Sequence, residues 1–165
     1  MIGGLRAPGA LAAAATAGCF AVLLASLGFE HLAGLRPCDL CYVQRGAHAA
    51  GFALGALALT LRPQALWRWA AAAGAAALAF GAATAVYQAG LEQGWWEGFT
   101  ACSSPVRFDL SPEELIAQLQ AAPIVRCDEV QWSMLGLSMA AWNVPLSAGL
   151  AALFGAAYAS SSASQ

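Results

Sequence analysis

Polar residues are rare along this chain, and their positions divide it. A first apolar run extends from about Pro8 to Phe29. A second, from about Tyr42 to Leu61, carries Arg45 and His48 near its start. It ends at Arg62-Pro63-Gln64, where proline disfavours helical backbone at the residue before it. After a short turn to Arg68, a third run covers about Trp67 to Leu91. A fourth, shorter and alanine-rich, covers about Asn143 to Tyr158. A membrane-spanning helix needs roughly 20 apolar residues at about 1.5 Å each. The pattern predicts an all-α membrane protein: a four-transmembrane-helix bundle with spans at 8–29, 42–61, 67–91 and 143–158, forming one integral membrane domain over residues 1–165. Loops at about 30–41 and 92–142 join the spans, and the long one carries short helices.

The long loop has its own pattern. Trp95, Trp96 and Phe99 follow the third span at the height where aromatic side chains favour the interface. Ser111-Pro112-Glu113-Glu114 predicts a helix start: Ser111 caps, Pro112 suits the first helical position, and Glu114 completes a capping box. Leu115, Ile116 and Leu119 give that helix an apolar stripe, and Pro123 stops it. Further on, Trp132, Leu135, Leu137, Met139 and Trp142 are apolar but too interrupted to span. They are expected to lie along the membrane surface, with ordinary packing against the bundle as the alternative.

Composition supports the membrane assignment. Of 165 residues, 60% are hydrophobic and 10% charged, against roughly 25% charged in soluble domains. So few charges cannot cover a soluble globule. A net charge of −2 without a single lysine argues against a nucleic-acid partner. The acidic residues fall in two places, Glu30 and Asp39, and Glu92 through Glu129. Arg6, Arg62 and Arg68 sit in the opposite segments. The outer loops hold four arginines of their own, so the basic count does not decide; the density of arginine in the short turn at 62–68 does, because long loops translocate largely regardless of charge. Both termini and that turn are expected in the cytoplasm, with the cysteine-bearing loops outside. The first run is long for a signal-peptide core and stays apolar past Thr16-Ala17-Gly18-Cys19. That disfavours cleavage and lipidation, and Cys19 is expected to be a small buried packing residue.

The remaining cysteines, Cys38, Cys41, Cys102 and Cys127, suit an oxidising compartment such as the bacterial periplasm. Cys38-Asp39-Leu40-Cys41 closes a very small disulfide ring, and its thiolates exchange readily when stabilised. A helix starting near Cys38 would place positive dipole at that point. Arg45, four residues past Cys41, shares its helical face. It could stabilise a thiolate or donate to a ligand carbonyl; snorkelling to the interface is the alternative. His48 and Phe52 continue that face; His48 is expected chiefly to pair with another helix, with a place in a ligand site beside Arg45 as the alternative. No spacing links Cys102 to Cys127, so sequence alone does not bond them. Their loop is polar and turn-rich, and a disulfide there is expected to be mobile and open to attack. A four-cysteine zinc site usually shows two close pairs; here only one pair is close, so no metal is expected.

Taken together, Cys38-Asp39-Leu40-Cys41-Tyr42-Val43-Gln44-Arg45, then Cys102, Cys127-Asp128, Trp132, Leu135-Gly136-Leu137-Ser138-Met139 and Trp142 resemble the DsbB-type disulfide bond formation proteins of bacterial inner membranes. The resemblance covers nearly the whole chain. It implies disulfides Cys38–Cys41 and Cys102–Cys127, a periplasmic DsbA-like thioredoxin-fold thiol oxidase as partner, and a membrane quinone as acceptor. Ubiquinone is the default acceptor and menaquinone the alternative. By the same resemblance Cys102 forms the mixed disulfide with the partner, and Cys127 and Cys38 exchange between loops. Cys41 meets the quinone beside Arg45. Family members often carry a histidine near the outer end of the third span. Here Gln88 stands where it would fall, able to donate a hydrogen bond but not to carry charge. Two other readings are a vitamin-K-epoxide-reductase-like enzyme, whose second pair is expected before the Cys-x-x-Cys, and a non-enzymatic scaffold or sensor with two structural disulfides. The latter leaves Arg45 unexplained.

Overall fold

The computed structural model describes residues 8–61, 66–98, 102–103, 110–121 and 125–162. Four long helices dominate: α1 (Pro8–His31), α2 (Asp39–Thr60), α3 (Trp67–Glu92) and α5 (Met139–Ser162). A short helix α4 (Pro112–Ala121) and a hairpin of β1 (Ser133–Met134) and β2 (Leu137–Ser138) lie between α3 and α5. The long helices pack as a ring in the order α1, α2, α3, α5 and back to α1. Alanine and glycine permit close approach, as helices packing in lipid require. Ala12, Ala15, Cys19, Ala58 and Ala71 are fully buried around Leu78 and Phe154. At Gly51 an added Cβ would stand 3.0 Å from Cys19 Sγ and 3.2 Å from Leu78 Cγ. Cys19 is thus the buried packing residue expected of it.

Among the described residues, three helices are long and apolar enough to cross a membrane by length and composition: α1, α3 and α5. α2 is not among them, because Gln44, Arg45 and His48 interrupt it. Two of these, Gln44 and His48, are buried inside the bundle.

The boundaries shift in ways that matter for the site. α2 begins at Asp39 rather than near Tyr42, so Cys41 lies in its first turn. α5 begins at Met139 rather than Asn143 and keeps Pro145 inside it. Within the segment expected to lie along the membrane surface, the chain folds back on itself. Leu135 (φ 54°) and Gly136 (φ 79°) both take left-handed backbone between β1 and β2, the geometry of a tight two-residue hairpin turn. Trp142, in the first turn of α5, donates from Nε1 to Met134 O at 3.0 Å. Trp132 packs on Phe29 of α1 with ring centroids 5.0 Å apart. The predicted capping box is present: Glu114 N donates to Ser111 Oγ at 3.3 Å, and Ser111 N donates to Glu114 Oε2 at 3.0 Å. Arg6, Arg62-Pro63-Gln64, Phe99 and Pro123 lie outside the described residues.

After α3 the chain turns back sharply. The Trp96 ring rests on the bare backbone of Gly90, where any side chain would collide with it. Trp96 Nε1 donates to Tyr87 O at 3.2 Å. This contact turns the chain back over the C-terminal end of α3.

Candidate redox site

Cys38 is the N-cap of α2. Its backbone is extended (φ −82°, ψ 172°), and its sulfur accepts the Cys41 N–H at 3.3 Å. This satisfies one of the helix's orphan donors, as a serine or aspartate would. A Cys-x-x-Cys motif at a helix start thereby places its first sulfur in the cap and its second within the first turn. The two sulfurs are unbonded here and 2.8 Å apart. The hydrogen bond shared with Cys41, and then burial, hold the Cys38 thiol far above the ordinary thiol range.

Cys102 and Cys127 are joined, with S–S 2.07 Å and Cα atoms 5.4 Å apart. Cys127 N donates to Cys102 O at 2.9 Å beside the bond. The expectation of a poorly protected disulfide, open to attack, is corrected. Cys102 is 1% exposed and Cys127 not at all. They belong to one buried cluster with Cys38, Leu40 and Leu91, flanked by Cys41, Tyr87 and Val125. The polar composition of the surrounding loop suggested exposure, but the disulfide folds inward onto α2 and α3. Both cysteine pairs thus share one small core.

Two cavities flank this core, and they divide the Cys38–Cys41 pair. The larger, about 470 Å³, is reached by Cys41. Its walls include Phe29, Trp132, Met139 and Leu146, with Gln44, Arg45, His48, Gln88, Glu92 and Asn143 supplying polar atoms. The second, about 380 Å³, is reached by Cys38 together with Glu30, Arg36 and Val125.

Arg45 lines the larger cavity with Cys41, but its charge is engaged elsewhere. Nη1 pairs with Glu30 of α1 at 2.6 Å, Nη2 donates to Ser26 O at 3.4 Å, and the guanidinium lies 5.4 Å from the Tyr42 ring centroid. The expected role of stabilising the sulfur one turn above gives way to an interhelical ion pair. His48, 2% exposed, pairs with α5 as expected, through Asn143 Oδ1 at 2.9 Å and Ser147 Oγ at 3.2 Å.

Gln88 stands beside the dithiol, facing Cys38 Sγ at 3.5 Å and Cys41 Sγ at 3.6 Å through Nε2. Its oxygen accepts from Gln44 Nε2 at 2.7 Å. Four residues were not singled out from sequence: Glu30, Gln44, Glu92 and Asn143. Glu30 and Glu92 are acids at the ends of apolar runs. Gln44 and Asn143 are amides at the starts of two others. That placement was the available signal. Glu92 accepts from Ser138 Oγ and, at 3.4 Å, from Gln88 Nε2.

Residues 8–157 match the family model described as "Disulfide bond formation protein DsbB". Proteins described as "Disulfide bond formation protein B" are similar to this chain. That of Stutzerimonas stutzeri (strain A1501) is 34% identical over 144 residues, covering 85% of this chain and 88% of that one. That of Idiomarina loihiensis is 34% identical over 138 residues, covering 81% and 75%. That of Verminephrobacter eiseniae (strain EF01-2) is 28% identical, covering 84% and 78%. No solved structure matches the chain.

Proposed function

The chain belongs to the DsbB family of disulfide bond formation proteins, and from that premise we propose that it oxidises a periplasmic DsbA-like thiol oxidase and delivers the electrons to a membrane quinone. The observation that carries this reading is the shared burial of the two cysteine pairs, with a separate cavity at each end of the Cys38–Cys41 pair. All four long helices cross the bacterial inner membrane, with both termini cytoplasmic and both cysteine loops periplasmic. α2 crosses as the fourth because Gln44 and His48 are buried and find their partners on α3 and α5, away from lipid.

The electron path is a series of thiol–disulfide exchanges, each needing a thiolate and an attackable sulfur. A partner thiolate attacks Cys102, the Cys102–Cys127 bond breaks, and Cys127 leaves as thiolate. Cys127 attacks Cys38 of the oxidised Cys38–Cys41 pair, joining Cys127 to Cys38 and releasing Cys41. The partner's second thiolate attacks its own sulfur in the mixed disulfide, frees Cys102 and departs oxidised. Cys102 then attacks Cys127, restoring the loop disulfide and releasing Cys38. Two electrons now reside on the Cys38–Cys41 dithiol.

The larger cavity fits a quinone headgroup. Its volume lies within the roughly 300–1,000 Å³ of small-molecule sites, and apolar walls with a few polar groups are typical of them. A bound quinone supplies a two-electron, two-proton acceptor. Arg45 can offer a cationic donor there, since a guanidinium has five N–H groups and Glu30 and Ser26 use only some. Glu30 fixes the direction of that donor. His48 and Gln44 line the cavity's inner part, and Trp132 and Phe29 close its side.

Thiol trapping in membranes tests the proposal. With oxidised quinone present, Cys38 and Cys41 should be bonded. With quinone withheld and reduced partner supplied, they should accumulate as thiols. Disulfides indifferent to both would contradict the relay and favour a structural role for the cysteines.

A further inference from the structure

The polar residues of the larger cavity are joined end to end, and their sequence has a direction. His48 Nε2 and Ser147 Oγ both reach Asn143 Oδ1, at 2.9 and 3.2 Å. With its oxygen occupied, Asn143 donates from Nδ2 to Gln44 Oε1 at 2.7 Å. Gln44 donates from Nε2 to Gln88 Oε1, also at 2.7 Å. Gln88 is left with its Nε2 end, which faces Cys38 Sγ at 3.5 Å and Cys41 Sγ at 3.6 Å, nearer than its Oε1, which the Cys41 thiol reaches at 3.9 Å.

An amide oxygen only accepts and an amide nitrogen only donates. No member of this series can therefore turn over without breaking the bonds on either side. Its direction is set at the far end, where a hydroxyl and an imidazole N–H supply the first donors. His48 Nδ1, buried and without a partner, is consistent with the proton residing on Nε2. Three helices contribute: α2 gives His48 and Gln44, α5 gives Asn143 and Ser147, and α3 gives Gln88.

We propose that Gln44, Asn143 and His48 are positioning residues for the dithiol, holding the Gln88 amide so that a thiolate formed in exchange meets an N–H and not a carbonyl oxygen. Without the series, Gln88 loses the donor that holds its Oε1 away from the sulfurs, where that oxygen would repel an anion. The same amide also donates to Glu92 Oε1 at 3.4 Å, while Ser138 donates to the other carboxylate oxygen; this longer contact favours the same orientation, and the two 2.7 Å bonds of the series add to it. The inference rests on the exchange chemistry proposed above, and its test uses neither partner nor quinone.

Full-length protein in detergent is reduced completely, freed of reductant and treated with iodoacetamide. Modification of Cys41 is followed by mass spectrometry relative to Cys102 of the same molecule. Only a thiolate is alkylated at an appreciable rate. At pH 7, Gln88→Leu should lower the Cys41 to Cys102 rate ratio about tenfold, the effect of one hydrogen bond to a charged group. Asn143→Asp, which nearly conserves volume but cannot donate to Gln44 when ionised, and Gln44→Leu should each lower it about threefold or more. At pH 10, where ordinary thiols are ionised, all three should match the unsubstituted protein, showing that access to Cys41 is unchanged. The proposal is overturned if Asn143→Asp and Gln44→Leu leave the ratio at pH 7 unchanged, or if the loss persists at pH 10. A protein that shows the predicted ratios but does not reduce quinone would refute the quinone reading and leave this one standing.

Discussion

The two cysteine pairs are buried together but held in opposite ways. Cys38 and Cys41 are fixed by a helix start: one sulfur caps α2, the other follows in its first turn, and Gln88 of α3 faces both. Cys102 and Cys127 are fixed by their own bond and by burial, within turns and bends. The first pair meets its cavities without rearrangement. The second, 1% and 0% exposed, is closed to a soluble protein and to small reductants in this conformation, so the proposed attack on Cys102 requires the loop to open.

The comparison is broken most severely by removing one sulfur from the loop pair. Cys102→Ala should reduce oxidation of the partner by at least about a hundredfold, since no attackable bond remains. Cys127→Ala loses partner oxidation likewise, but its Cys102 thiolate, attacking the disulfide of oxidised partner, should accumulate the mixed disulfide, visible on non-reducing gels. Equal accumulation of mixed disulfide in both variants would refute the assignment of Cys102 as entry point.

Leu91 packs in the core shared by both pairs. Truncating a buried leucine costs about 2–5 kcal/mol, and here the loss falls on the lid of the loop disulfide. Leu91→Ala should make Cys102–Cys127 at least about tenfold faster to reduce with dithiothreitol. If the unsubstituted protein is reduced equally fast natively and in denaturant, burial gives no protection.

Arg45→Met separates the pairs by function. Loss of a charge-assisted donor worth about 1.5–3 kcal/mol should slow quinone reduction by roughly 10- to 100-fold. Reduction of Cys102–Cys127 by the partner should be unchanged in a single turnover. Loss of Glu30 by Glu30→Gln should give a smaller effect in the same direction, because the guanidinium is then less firmly directed.

The smallest effect concerns α4. The backbone N–H and hydroxyl of Ser111 hold the Glu114 carboxyl below its ordinary range. A depressed carboxyl contributes stability above its unfolded value that is lost as pH falls through its folded value. Acidification through the ordinary carboxylate range and below should therefore loosen α4, measured by amide exchange at Leu115 and Ile116. Glu114→Ala should abolish that acid dependence and leave alkylation of Cys41 at neutral pH unchanged.

The long helices and the capped start of α4 were legible in the sequence because their signals are local: apolar run length and a four-residue capping pattern. The site was half legible. Cys-x-x-Cys with Arg45 one turn on marks a helix mouth by spacing alone. The burial of Cys102 and Cys127 was not legible, because loop composition reports average polarity and not which residues fold inward. Gln44, Glu92 and Asn143 were overlooked for a related reason. An amide in an apolar run gains its meaning only when a partner arrives from another helix, and those partners lie 44 to 99 positions away. The hairpin at 133–138 was missed because five apolar side chains suggested a continuous surface, whereas Leu135-Gly136 supplies the turn.

Contact between the two pairs is the central claim, and direct exchange between Cys127 and Cys38 is its most direct test. Full-length protein carrying Cys41→Ser and Cys102→Ser retains one sulfur from each pair. After equilibration with oxidised and reduced glutathione, its disulfides can be mapped by mass spectrometry. A relay through one shared core predicts Cys38–Cys127 as the principal protein disulfide. Cys38 and Cys127 found only as separate glutathione adducts would contradict it.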